Sequence, residues 1–178
     1  MTLDGFCDHT AIDPDEQIHE HYADLLSGAG VILYGRITYG LMQYWQALLE
    51  NPSGEKSTDD FAVAIDQVPK IVFSHQLEDT GWNSAKLAGQ TLEATVLELR
   101  KQSGAPIFVG SRSLILQLLK LNLIDEYQLC VHPVIAGQGL PLFENTDRTT
   151  YKLLKTKVFD SGAIVLYYEP VNVKPIHS

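Results

Sequence analysis

Two short segments place a glycine, an arginine and hydroxyl side chains where a strand-like run passes into a helix-like run. The first is Gly35-Arg36-Ile37-Thr38-Tyr39, following Val31-Ile32-Leu33-Tyr34. The second is Gly110-Ser111-Arg112-Ser113, following Ile107-Phe108-Val109. A helix N-terminus carries amides without intrahelical acceptors and the positive end of the peptide dipole, so it suits a phosphate. Gly35 permits close approach, while Arg36 and Thr38 add a charge and a hydroxyl. Ser111, Arg112 and Ser113 are small, polar and basic, which suits a pyrophosphate. Each segment reads equally well as an ordinary capped helix with a solvated arginine, and neither contains the GxGxxG or P-loop pattern. A third strand-like run, Lys70-Ile71-Val72-Phe73, ends in Ser74-His75. That hydroxyl and imidazole are either a hold for a ribose phosphate or an exposed turn.

The other chemistry-bearing residues point to less. His19 and His21 are two apart on a predicted helix, so they diverge and cannot chelate a metal as an i, i+4 pair can. His9 could approach His19, but surface positions are expected for both, and no metal site is expected. Gly137-Gln138-Gly139 has the look of a phosphate loop without a helix after it and reads as a turn. Asp59-Asp60 reads as the acidic start of a helix. Cys7 and Cys130 are far apart and form no CxxC, which reads as two reduced thiols in a reducing compartment.

The elements that must position these residues follow from periodicity. Pro14 to Gly28 reads as a helix with Ile18, Tyr22, Leu25 and Leu26 on one face. Helices are also expected over Ile37–Leu49, Asp59–Val68, Thr91–Gln102 and Leu114–Leu121, the last capped by Ser111. Glu126 to Val134 alternates, with Tyr127, Leu129 and Val131 on one side. Tyr151–Phe159 and Ala163–Tyr168 read as a hairpin turning at Asp160-Ser161-Gly162. Alternating strands and helices imply an α/β fold with a mainly parallel sheet, the final hairpin adding antiparallel strands. Ligands bind outside the carboxyl ends of strands in such sheets, so the three turns point to one crevice.

The 178 residues are 45% hydrophobic, which supplies a core and suits one domain, taken as residues 1–170 with a tail over 171–178. A net charge of -9 repels phosphate backbones and anionic lipids, so nucleic acid and membrane are not expected partners. No apolar run is long enough to span a bilayer, and Met1 to Gly5 has no signal-peptide character, so a cytoplasmic location is expected.

Taken in order, several of these segments match a known pattern. They are Leu3-Asp4-Gly5-Phe6, Gly35-Arg36-Ile37-Thr38-Tyr39, Lys70-Ile71-Val72-Phe73-Ser74, Gly110-Ser111-Arg112-Ser113-Leu114, Leu123-Ile124-Asp125-Glu126-Tyr127 and residues 133–143 from Pro133 to Phe143. The chain resembles the dihydrofolate-reductase-like superfamily, in the branch containing the reductase domain of the riboflavin-biosynthesis deaminase-reductase. The resemblance covers nearly the whole chain. It implies a three-layer α/β/α fold and an NADPH-dependent reductase of a small conjugated heterocycle, a riboflavin precursor or a pterin-like ring. By that likeness Gly35, Arg36 and Thr38 face the cofactor phosphates, and Ser74 and His75 lie by the adenosine end. Gly110, Ser111, Arg112 and Ser113 cradle the pyrophosphate. Asp4 lies over the nicotinamide, and Asp4, Glu16 and His19 are the candidates on the substrate side. The alternative is a non-catalytic nucleotide-binding module, a sensor or structural partner.

Relatives of this kind usually carry a strand ahead of Leu-Asp-Gly, where this sequence has Met1 and Thr2. The first sheet strand is therefore expected at Val31–Tyr34, with Thr2–Phe6 extended in the vacated slot. A homodimer is expected through Leu140, Leu142, Phe143, Val165 and Tyr167, read as exposed apolar groups.

Overall fold

The computed structural model describes residues 1–7, 10, 12–102 and 104–171; His9 and most of the expected tail lie outside the described residues. The chain forms two compact units, one of Glu16–Leu118 and one of Met1–Asp15 with Leu119–Ser178.

The first unit runs α1 (Glu16–Ser27), β1 (Val31–Gly35), α2 (Arg36–Glu50), α3 (Lys56–Gln67), β2 (Lys70–Phe73), β3 (Ala85–Leu87), α4 (Leu92–Lys101), β4 (Ile107–Val109) and the start of α5 (Arg112–Lys120). Its sheet has the order β3-β2-β1-β4 with every pair parallel. All five residues of β1 are buried, as the unbroken apolar run Val31–Tyr34 requires of a central parallel strand. Because β2, β1 and β4 are adjacent and parallel, their carboxyl ends lie along one edge of the sheet. The core gathers Leu26, Ile32, Tyr34, Tyr39, Ile65, Val68, Val72 and Trp82. Lys70 is buried beside it. Its ammonium donates to the Val68 carbonyl and to Ser84 Oγ, both at 2.8 Å, and lies 4.1 Å from the centroid of the Trp82 ring.

Helix α3 begins three residues ahead of the expected start, and Asp59 is the acidic residue of its first turn rather than its opening residue. The Asp59 carboxylate instead accepts the amides of Ser53 at 2.8 Å and Gly54 at 3.1 Å, closing the loop before the helix. Strand β3, only three residues long, carries too little pattern to be read from sequence.

The second unit holds β5 (Tyr127–Val131), β6 (Tyr151–Val158) and β7 (Ile164–Pro170), antiparallel in the order β5-β7-β6. The hairpin turns where expected, with Gly162 at φ 83° and its amide on the Phe159 carbonyl. Two expectations are corrected here. Thr2–Phe6 is not extended. The Gly5 amide bonds the Thr2 carbonyl at 3.1 Å, and the Thr2 amide bonds the Phe6 carbonyl at 3.0 Å. Gly5 sits at φ 88°, a left-handed conformation incompatible with a strand, and Asp-Gly is itself a turn signal. The first strand of the parallel sheet is nevertheless β1, as expected. Second, Leu142, Val165 and Tyr167 are buried rather than exposed, whereas Leu140 and Phe143 are exposed. Val165 and Tyr167 share one face of β7, the middle strand, and that face is covered.

Candidate functional site

The turn from β1 to α2 and the turn from β4 to α5 are joined to each other. The amide of Gly35, the residue preceding α2, donates to Ser111 Oγ at 2.8 Å. Ser111, the residue preceding α5, is 1% exposed. Its hydroxyl therefore serves the neighbouring turn and does not cap its own helix, where the Ser111 carbonyl accepts from Leu114 and Ile115. The expected side-chain cap is thus replaced by a bond between turns.

Both glycines are set by space. Gly35 has φ -82°, open to any residue, but a Cβ there would stand 3.1 Å from Ser113 Oγ and 3.7 Å from Ser111 Oγ. A Cβ on Gly110 would lie 2.7 Å from Cε1 of the buried Tyr34 ring. Arg36 is the first residue of α2 and exposed, and Thr38 is the third and half-buried. Arg112 is the first residue of α5 and half-buried, and Ser113 is exposed. Two helix N-termini, each opening on an arginine, thus lie at neighbouring strand ends beside close backbone. This donor set fits an anionic phosphate or pyrophosphate in charge and in available amides.

At the third turn, Ser74 Oγ accepts the amides of Gln76 and Leu77, each at 3.0 Å, so this hydroxyl closes the loop after β2. His75 is exposed. The turn stands at the carboxyl end of β2, beside that of β1.

The expected substrate-side residues are found in both units. Asp4 belongs to the unit with the antiparallel sheet, and Glu16 and His19 to the unit with the parallel sheet. The Asp4 carboxylate accepts the Thr2 hydroxyl at 2.6 Å and the amides of Ala136 at 3.1 Å and Gly137 at 2.7 Å. The Thr2 hydroxyl, then these amides, hold its pKa below the usual carboxylate value, so it is ionised at neutral pH and tied to the Gly137 loop. Glu16 is the exposed first residue of α1. His19 packs against Trp45, with ring centroids 5.7 Å apart and edge-on, and against Phe61 at 5.9 Å. It is a member of an aromatic cluster shared by α1, α2 and α3. Among the described residues no group of three or more His, Cys, Asp or Glu side chains converges on a metal site.

The feature that sequence reasoning missed is the bond between Gly35 and Ser111. Each residue was singled out, but nothing local marks two residues 76 positions apart as partners.

Comparison with known proteins follows the same lines. The family described as the RibD C-terminal domain matches residues 1–165. The Bacillus subtilis (strain 168) protein YyaP is 32% identical over 177 residues, covering 94% of this chain and 90% of that protein. A Shewanella sp. PV-4 protein described in connection with riboflavin biosynthesis superposes with a TM-score of 0.69 at 18% identity, covering 96% of this chain and 95% of that one. The Thermotoga maritima diaminohydroxyphosphoribosylaminopyrimidine deaminase/5-amino-6-(5-phosphoribosylamino)uracil reductase superposes with a TM-score of 0.60 at 16% identity. The alignment covers 95% of this chain and 54% of that one, so this chain spans about half of the two-activity protein. The fold is that of the dihydrofolate-reductase-like proteins.

Proposed function

Because this chain belongs to the RibD C-terminal domain family, we propose that it is an NADPH-dependent reductase of a small conjugated heterocycle, a riboflavin precursor or a pterin-like ring. The observation that supports this most is the pair of helix N-termini at the ends of β1 and β4, linked through Gly35 and Ser111 and flanked by Arg36 and Arg112. The cofactor would supply the hydride; the protein orients it and sets the electrostatics. Arg36, Thr38 and the first amides of α2 would hold one phosphate, and Arg112, Ser113 and the first amides of α5 the other. Ser74 and His75, at the end of β2, would lie by the adenosine ribose and its 2′-phosphate, and would favour NADPH over NADH. The Cys7 and Cys130 thiols, neither in a disulfide, fit a reducing compartment such as the cytoplasm. Calorimetric titration with NADPH and NADH tests the cofactor, and loss of NADPH absorbance against a panel of pyrimidines and pterins tests the reaction. Equal affinity for the two cofactors, or no binding of either, refutes the reading.

One observation favours a second reading. The Asp4 carboxylate is bonded to Thr2 and two amides, His19 packs against aromatic rings, and Glu16 is an exposed helix residue, which supports a reading without a dedicated proton donor. A nucleotide-binding module without turnover would need no donor. NADPH binding without oxidation across the whole panel selects this alternative.

We also propose a homodimer through the open face of the antiparallel sheet. The register puts Leu129 and Val131 of β5, Ile164 and Leu166 of β7, and Leu153 and Val158 of β6 on the face opposite Val165 and Tyr167. All six are partly or fully exposed in the single chain.

A further inference from the structure

We propose that Ser111 is a positioning residue: its buried hydroxyl sets the spacing of two helix N-termini, so that α2 and α5 present their first amides to one anionic ligand. The inference rests on the cofactor reading above and concerns a residue that the reading treats only as part of a cradle.

The register shows why a side chain is needed there. Strands β1 and β4 pair in parallel as Val31 with Ile107, Ile32 with Phe108 and Leu33 with Val109. The Gly110 amide then bonds the Leu33 carbonyl at 3.3 Å. The next donor along β1 is the Gly35 amide, which a continuing parallel ladder would pair with a backbone carbonyl of β4. Here both chains have already turned into their helices, and Ser111 Oγ takes that amide at 2.8 Å. The bond therefore joins the residues immediately before Arg36 and Arg112, the first residues of α2 and α5. Two helix N-termini brought side by side repel through their positive dipole ends. A bound anion relieves that repulsion, whereas without one a direct bond must hold the ends together. The hydroxyl is held inside the fold, since Ser111 is 1% exposed, and a Cβ on Gly35 would stand 3.1 Å from the Oγ of Ser113, a side chain at the surface.

Two measurements on the full chain test this. Amide hydrogen exchange of Gly35 without ligand reads the bond itself, and calorimetry reads NADPH affinity. Ser111→Ala should expose the Gly35 amide to faster exchange and weaken NADPH binding by about tenfold, the usual scale for losing one buried partner. Ser111→Thr keeps the hydroxyl and should restore slow exchange and most of the affinity, which a purely volumetric role for Ser111 would not produce. Unchanged Gly35 exchange in Ser111→Ala overturns the bond. Faster exchange with parental affinity overturns the positioning role. If the parent chain binds no NADPH, the cofactor reading fails and takes the positioning role with it, while the exchange data still decide whether the turns are joined. Should Ser111→Ala not fold, Ser111→Cys, a weaker acceptor of similar size, must show the same paired loss in smaller degree, and parental behaviour there refutes the proposal.

Discussion

The ring of Tyr34, the last side chain of β1, lies so close to Gly110 that a Cβ there would stand 2.7 Å from Cε1. Tyr34 is buried in the core and cannot swing aside without disturbing its neighbours Ile32, Tyr39 and Val72. Gly110→Ala should therefore destabilise the protein by about 1–3 kcal/mol, the cost of overpacking a tight contact. Urea unfolding measures it. The double variant Tyr34→Leu, Gly110→Ala should recover part of that loss relative to the sum of the single changes, because the clash is with the ring. Additive losses would show that the glycine is required for another reason.

Lys70 supplies a pH signature. Burial pushes its ammonium pKa down to about 8, partly offset by the nearby Asp66 carboxylate. The unfolded chain holds that proton up to its ordinary value of 10.5. Between these two values the unfolded state binds more protons than the folded state, so stability from this residue rises with pH across the window and is lost as pH falls through about 8. Unfolding free energies of the parent and of Lys70→Met should diverge in the parent's favour from pH 8 to 10.5 and run parallel below pH 7. Parallel curves throughout would contradict the burial of a charged amine at this position.

Much of the parallel sheet was legible because Val31–Tyr34, Ile71–Phe73 and Ile107–Val109 are unbroken apolar runs, each followed by a small residue. A short apolar run bounded by a small residue and flanked by helical patterns fits a strand of a covered parallel sheet. The same rule located the three turns of the candidate site before any contact was known. What lay beyond it was set by tertiary choices. Ser111 reads locally as a helix cap, and only the arrival of Gly35 beside it redirects the hydroxyl. Asp4-Gly5 is a turn dipeptide, yet a strand slot argued for an extended segment, and the turn chemistry of Gly5 prevailed. His19 entered as a candidate through the likeness alone; its spacing on α1 gave no sign that its ring would pack against Trp45 and Phe61. Ile164, Val165, Leu166, Tyr167 and Tyr168 are all apolar or aromatic, so the sequence does not say which face of the three-stranded sheet is covered.

The Asp4 carboxylate anchors the N-terminal turn to the Gly137 loop, and its pKa lies below the ordinary value of 3.8, chiefly through the Thr2 hydroxyl. A carboxylate with a depressed folded pKa contributes stability above its unfolded pKa and loses it as pH falls through the folded value. The parent should therefore lose this contribution only below pH 3.8, and the Asp4→Asn variant should show no such component in its acid-unfolding profile. Carboxyl carbon resonances of Asp4 followed by NMR give the folded pKa directly. A titration midpoint above 3.8 would mean that the turn is open in solution.

The open face of the antiparallel sheet makes the last prediction. On β6, Leu153 is 48% and Val158 66% exposed, while Lys155 and Lys157 point to the other face, over the rings of Tyr167 and Phe159. An apolar face carrying no lysine beside a lysine-lined one suits self-association by face packing. Edge pairing through β6 is instead disfavoured by the register shift between Leu153 and Lys155 and by the charges along the strand. The protein should run as a dimer at micromolar concentration in light scattering. Val158→Asp should halve that mass without unfolding the chain, since the side chain is already largely in water in the single chain. Lys157→Asp, one residue away and on the opposite face, should leave the dimer intact. A monomeric parent removes the proposal, and a dimer broken by Lys157→Asp but not by Val158→Asp would move the interface to the other side of the sheet.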